Sequence, residues 1–226
     1  MTSNVAEPAE SAGSALSLGV HGAADSTIER TIGALYAEGS ERSPSVDRAL
    51  RRFGHASLRY ARERGIRLVL LARDQRYRDV SPALLRLGID VDSWPAPPAG
   101  LFVVEERTVY LRPQSRMTAA HEFAHALDCA LGNGTYRSGC DPELRRVFSE
   151  VTHFVTPYQA SGLDEFFAEV VRAFVDDCND PGSSWPQATQ ARLQALQPEV
   201  YAHVERILVV EIPQQLGITQ TALKSA

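Results

Sequence analysis

Three cysteines in 226 residues are too few for the frameworks that cysteine builds. Cys129, Cys140 and Cys178 are odd in number and lack close pairing, which excludes a dense disulfide scaffold and a cysteine-rich structural zinc site. A reducing compartment is the simpler inference, with Cys129 a small buried thiol. Long apolar runs are also missing. No stretch approaches the ~20 residues of a membrane span, and the N-terminus has neither the basic start nor the apolar core of a secretory signal. The expected location is cytoplasmic as synthesised, with export by a signal-independent route left open. There is no excess of basic residues either: 23 Lys and Arg stand against 28 Asp and Glu, a net −5 that argues against nucleic acid as a partner. The arginines between Arg51 and Arg67 read as a solvated helix face. No internal repeat is evident, and nothing sets the oligomeric state.

What is present is ordinary for a globular chain, 44% hydrophobic and 23% charged, and long enough for one domain with a tail. Residues 1–25, rich in Ala, Ser, Gly and Glu without apolar periodicity, predict a flexible leader. Residues 26–226 then form a single domain, 26–99 its N-terminal part and 100–226 its catalytic core. A helix starts at Ser26, with Ile28, Ile32, Leu35 and Tyr36 as its stripe and Gly39 as its end. A second starts after Ser43-Pro44-Ser45 and runs to about Glu63. Ile66 to Ala72 reads as a buried strand and Pro82 to Leu87 as a short helix. Trp94 to Gly100 is a Pro-rich connector. Leu101–Val104 and Thr108–Arg112 flank a tight hairpin turn. The strand before the next helix either presents a free edge, to which an extended peptide could pair, or lies inside the sheet. Asp141 and Pro142 open a further helix, Leu163 to Asp177 is another, and the tail from Pro186 is helical until Pro213 breaks it.

One stretch organises the rest. Met117 to Leu131 is helix-favouring, and at its centre lies His121-Glu122-Phe123-Ala124-His125. Histidines four apart project from one helical face, the spacing of two zinc ligands. Glu122, about 100° round the helix from His121, can act on a water without binding the metal. An exposed helix that happens to carry two histidines is the competing reading. Ala119, Ala120, Phe123, Ala124, Leu127, Ala130 and Leu131 disfavour it, because they place the pair in an apolar cleft.

A third ligand can be sought by counting. Six residues past His125 stands Leu131, and twenty past it Arg145, so two common zincin patterns fail. Forty residues on, Asp164-Glu165-Phe166-Phe167-Ala168-Glu169 offers Glu165 and Glu169 one turn apart, with His153 and Asp164 as reserve candidates. The same residues also fit an ordinary surface helix, on which Glu165, Glu169, Arg172 and Asp176 form the wet stripe.

These blocks together, His121-Glu122-Phe123-Ala124-His125-Ala126 with Asp128, then Tyr158, then Glu165-Phe166-Phe167-Ala168-Glu169, resemble the anthrax lethal factor catalytic domain and the related Pro-Pro endopeptidases. In that family a tyrosine precedes the glutamate ligand by seven residues, as 165 − 158 = 7 here. The resemblance covers roughly Gly100 to Asp177. It implies an α+β fold: a mostly helical zincin-like metalloprotease domain with a small sheet whose edge strand lines the active-site cleft. It implies that His121, His125 and Glu165 bind Zn2+, that Glu122 is the general base, that Tyr158 stabilises the oxyanion or donates a proton, and that Glu169 orients a ligand histidine. The expected function is a zinc endopeptidase acting on a peptide or protein, in the manner of a bacterial toxin or effector. Ala124 departs from the family, which often has glycine there. A non-catalytic zincin-like module that binds a peptide or partner, and a zinc hydrolase of non-peptide amides, are the alternatives.

Overall fold

The computed structural model describes residues 25–112, 115–180, 182–183 and 187–218. The expected leader therefore lies, but for its last residue, outside the described residues, as does the start of the tail at Pro186.

The first helix, α1 (residues 25–33), is shorter than its apolar stripe predicts. Leu35 and Tyr36 leave it to cover the rim of the sheet. Leu68 N–H donates to the Leu35 carbonyl and Ala37 N–H to the Leu68 carbonyl, both at 2.8 Å, and Tyr36 bridges Leu68 in parallel. Apolar periodicity reports only that Leu35 and Tyr36 face the core. The predicted long second helix is two, α2 (Pro44–Arg51) and α3 (Gly54–Glu63), separated at Gly54, whose φ of +72° is left-handed. Glycine takes that conformation without the Cβ penalty, so the chain turns there while both helices bury the expected face.

Three strands form the sheet: β1 (Arg67–Leu70), β2 (Gly100–Val103) and β3 (Thr108–Leu111), in the order β1-β3-β2. β3 runs parallel to β1 and antiparallel to β2, with Phe102 opposite Val109. All four residues of β3 are buried because it is central: Val109 and Leu111 join the main core, and Tyr110 points to the other face. That second face is covered by Tyr77, Leu84 and Val91, from α4 (Tyr77–Val80), α5 (Pro82–Leu87) and the turn that follows. The strand next to the histidine helix in sequence is thus the interior one, and the edge belongs to β2.

Below the sheet lies α6 (Arg116–Leu131), N-capped by Ser115, whose hydroxyl accepts from Thr118 N–H. It is buried without interruption from Ala119 to Ala130, packed between α2, the sheet and α8 (Leu163–Val175). Before α8 come α7 (Pro142–Glu150), capped by Asp141, and a 3-10 turn at Pro157–Ala160. The tail holds α9 (Gln190–Leu196), α10 (Pro198–Glu205), a π-helical turn (Arg206–Glu211) and α11 (Ile212–Gln215). Pro213 does not end the tail, contrary to expectation. It directly follows the π-helical turn, and the helical backbone runs on through it to Gln215, the change of hydrogen-bonding register falling where a proline supplies no N–H. The whole is α+β and mostly helical, and one core runs from Ile32 through α6 and α8 to Ile212.

Candidate metal centre

α6 and α8 cross so that side chains one turn apart on each helix meet. His121 and His125 hold their Nε2 atoms 3.1 Å apart. Glu165 Oε2, from α8, lies 3.0 Å from His121 Nε2 and 3.3 Å from His125 Nε2. Phe166, Phe167, Val170 and Val171 bury the other side of α8, and Phe166 sets its ring edge-on to Phe148 at 5.3 Å. The acids of α8 are thereby turned toward α6. Glu169 and Arg172 are 2% and 0% exposed, so the surface-helix reading of this stripe is overturned.

The donor set fits a zinc ion on geometry. Nitrogen and oxygen ligands about 2.0–2.1 Å from a tetrahedral zinc stand about 3.3 Å from one another, close to the separations between these three atoms. Among the described residues this is the one group of three or more such side chains whose ligand atoms converge.

Behind the cluster, His121 Nδ1–H donates to Glu169 Oε1 at 2.8 Å, which turns Nε2 toward the cluster as the atom that would bind a metal once deprotonated. Burial works against a charged His121. The carboxylates of Glu165 and Glu169 nevertheless hold its pKa up at about 10. Burial likewise opposes ionised Glu165, yet hydrogen bonds from His121 and His125 bring it down to about 2, and Glu169 is held low by His121 and Arg172. Without a metal, then, this site keeps a proton among the donors.

Glu122, 9% exposed, faces the sheet side of the cluster, and burial raises its pKa against the pull of both histidines. β2 lies directly upon it: a Cβ at Gly100 would fall 2.5 Å from Glu122 Cγ and 2.7 Å from Thr118 Cγ2, so only glycine allows this approach. Tyr158 stands on the other side. Its hydroxyl donates to Glu165 Oε1 at 3.1 Å, its ring is 5.5 Å from that of His121, and burial followed by Glu165 raises its pKa.

The reserve candidates lie elsewhere. Asp164 and His153 are outside the converging group, and His153 Nδ1 pairs with the Thr152 hydroxyl. His203 is buried against Asp141 Oδ2 at 3.0 Å, and Cys129 lines a small cleft with Arg64 and Arg107. Three neighbours escaped sequence reasoning. Thr156 and Arg172 bind Glu169, and Tyr136 sets its ring 5.6 Å from that of His125. Only Arg172 left a trace, by standing three residues after Glu169.

No protein-family model matches the chain, and no curated protein matches it in sequence. Among solved structures it is similar to a Pro-Pro endopeptidase from Paenibacillus alvei, with a TM-score of 0.54 at 18% identity over 80% of this chain and 99% of that one. At this identity the likeness is one of fold. It supports the zincin-like α+β architecture of the Pro-Pro endopeptidase type and does not single out lethal factor. Among the described residues no helix is long and apolar enough to cross a membrane.

Proposed function

We propose that this chain is a zinc-dependent endopeptidase. The observation that carries the reading is the convergence of His121 Nε2, His125 Nε2 and Glu165 Oε2 within 3.0–3.3 Å beside the carboxylate of Glu122. His121, His125 and Glu165 would hold the metal. Zinc, when bound, supplies a positive charge that acidifies water to a pKa of about 7 and polarises a carbonyl.

The protein's own groups do the rest. Glu122 takes the proton of the attacking water, its burial having raised its basicity, and passes it to the leaving amine. Tyr158, whose hydroxyl rests on Glu165, turns to donate to the carbonyl oxygen as negative charge develops there. Glu169 holds His121 by its other nitrogen.

An outer strand beside the cluster favours a peptide substrate, with the outward N–H of Phe102 itself directed at Glu122. Arg112 N–H donates to the Ala99 carbonyl, so by the alternation of an antiparallel ladder Leu101 and Val103 bond β3 while Gly100 and Phe102 turn their backbone groups outward. That edge borders Glu122, and an extended peptide pairing with it would lie across the cluster. The continuous core supports including 26–99 in the same unit as 100–226. Nothing in the fold speaks to a toxin or effector role.

The test is zinc content together with digestion of a random peptide library. One zinc per chain and cleaved products are expected, and Glu122→Gln should keep the zinc while losing roughly 10²–10⁴ of the turnover. Zinc without cleavage would favour the binding-module reading. Full activity of Glu122→Gln would remove that residue as the base.

A further inference from the structure

Glu169 is a carboxylate with no capacity left. Its Oε1 accepts from His121 Nδ1 at 2.8 Å and from Arg172 Nε at 2.9 Å. Its Oε2 accepts from Arg172 Nη2 at 2.8 Å and from the Thr156 hydroxyl at 2.5 Å. Four donors occupy the roughly four lone-pair sites of an ionised carboxylate, so neither rotation nor a change of partner is open to it.

Arg172 is itself tied at its far end. Its Nη1 donates to Asn179 Oδ1 at 3.1 Å, and Asn179 in turn grips Ala188 through both backbone groups, at 2.9 and 3.0 Å. Arg172, Glu169 and Thr156 are 0%, 2% and 1% exposed. Burying an arginine so completely for stability alone makes poor sense, because replacing a buried ion pair by apolar side chains is often neutral or stabilising. The pair gives direction instead: a bidentate guanidinium fixes the plane of the carboxylate it holds.

We propose that Arg172 and Thr156 are positioning residues for the metal centre, acting through Glu169 to fix the ring of His121. This rests on the zinc reading above. Arg172 locks the carboxylate plane from within α8, and Thr156 locks its second oxygen from the loop that also carries Tyr158. Ligand orientation and the placing of Tyr158 therefore share one carboxylate. His121 is presented to the ion already aligned, so that little ordering remains when the ion arrives.

The experiment measures zinc affinity of the full chain by competition with a chelator, with the absorption spectrum of the cobalt-substituted protein as a second readout. Thr156→Val keeps shape and removes one donor, and Arg172→Lys keeps charge and removes the fork. Each should weaken zinc binding roughly 10–100-fold and alter the cobalt bands. Thr156→Ser, which keeps the hydroxyl, should restore both. Leu193→Ala, in the buried face of α9, controls for general loosening: it should lower the melting temperature and leave zinc affinity unchanged. Should Arg172→Lys fail to fold, the Thr156 pair decides. Affinity within twofold of the unaltered chain in folded Thr156→Val would overturn the inference while leaving the zinc reading intact. Absence of zinc binding by the unaltered chain would overturn both.

Discussion

His121 and His125 lie one turn apart on the same helix and meet the same carboxylate, yet they are held by different means. His121 has Glu169 at its back, and Glu169 is saturated by Arg172 and Thr156. His125 is as deeply buried at 6% exposed, but its Nδ1 has no hydrogen-bond partner among the described residues, and its ring rests beside Tyr136. A buried polar nitrogen without a partner costs about 1–3 kcal/mol, so evenly built support would have supplied one. The difference implies a division of labour: a hydrogen bond to a saturated carboxylate aims His121, while packing and the nearby charge of buried Asp128 hold His125. The first should respond to loss of the hydrogen bond behind it and the second more to changes of shape.

The largest effect that would expose this asymmetry is Glu169→Ala. It strips His121 of its acceptor and leaves Arg172 buried and uncompensated, which should cost about 3–5 kcal/mol in denaturant unfolding along with most of the zinc affinity. Among the described residues His125 has no such bonded carboxylate: the buried Asp128 acts on it through charge alone while its oxygens accept from Ser138. Unchanged stability and affinity would mean that the two histidines are held alike after all.

Next is the protonation of His121. In the metal-free chain its pKa is raised to about 10 from the usual 6.5, so the charged ring stabilises the fold fully below pH 6.5 and loses that contribution as pH rises through 10. Metal-free protein should therefore lose stability across that window, and zinc uptake at pH 7 should release a proton. Calorimetry in buffers of different ionisation enthalpy counts that proton. An enthalpy independent of buffer would show His121 neutral before the metal arrives.

The fold was largely legible in advance, and the misses have physical reasons. Local chemistry placed α6, α7, the hairpin and the Pro82 helix, because capping, glycine and apolar period act over a few residues. It did not show the break at Gly54 or the departure of Leu35 from α1, since an apolar stripe reads the same whether the chain continues or turns. The site divides in the same way. His121, Glu122 and His125 show themselves by spacing on one helix, whereas Glu165 reaches them from 40 residues away and depended on the resemblance. Thr156 and Tyr136 left no mark, because a hydroxyl or a ring at a distant position has no periodicity to betray it. Arg172 was counted with the solvent-facing stripe because helical period tells which residues share a face but not what that face meets.

The smallest structural effect should come from Tyr158, which is 42% exposed and contributes little to the core. Tyr158→Phe should leave the melting temperature and zinc content unchanged while turnover falls roughly a hundredfold, as expected for an oxyanion donor. An unaltered rate would confine the chemistry to the Glu122 side of the cluster.

X-ray absorption at the zinc edge on the purified protein addresses the central claim most directly. One zinc with two imidazole nitrogens and a carboxylate oxygen at about 2.0–2.1 Å, the oxygen vanishing from the shell in Glu165→Ala, is the predicted result. A chain loaded with zinc whose coordination shell is the same with and without Glu165 would contradict it.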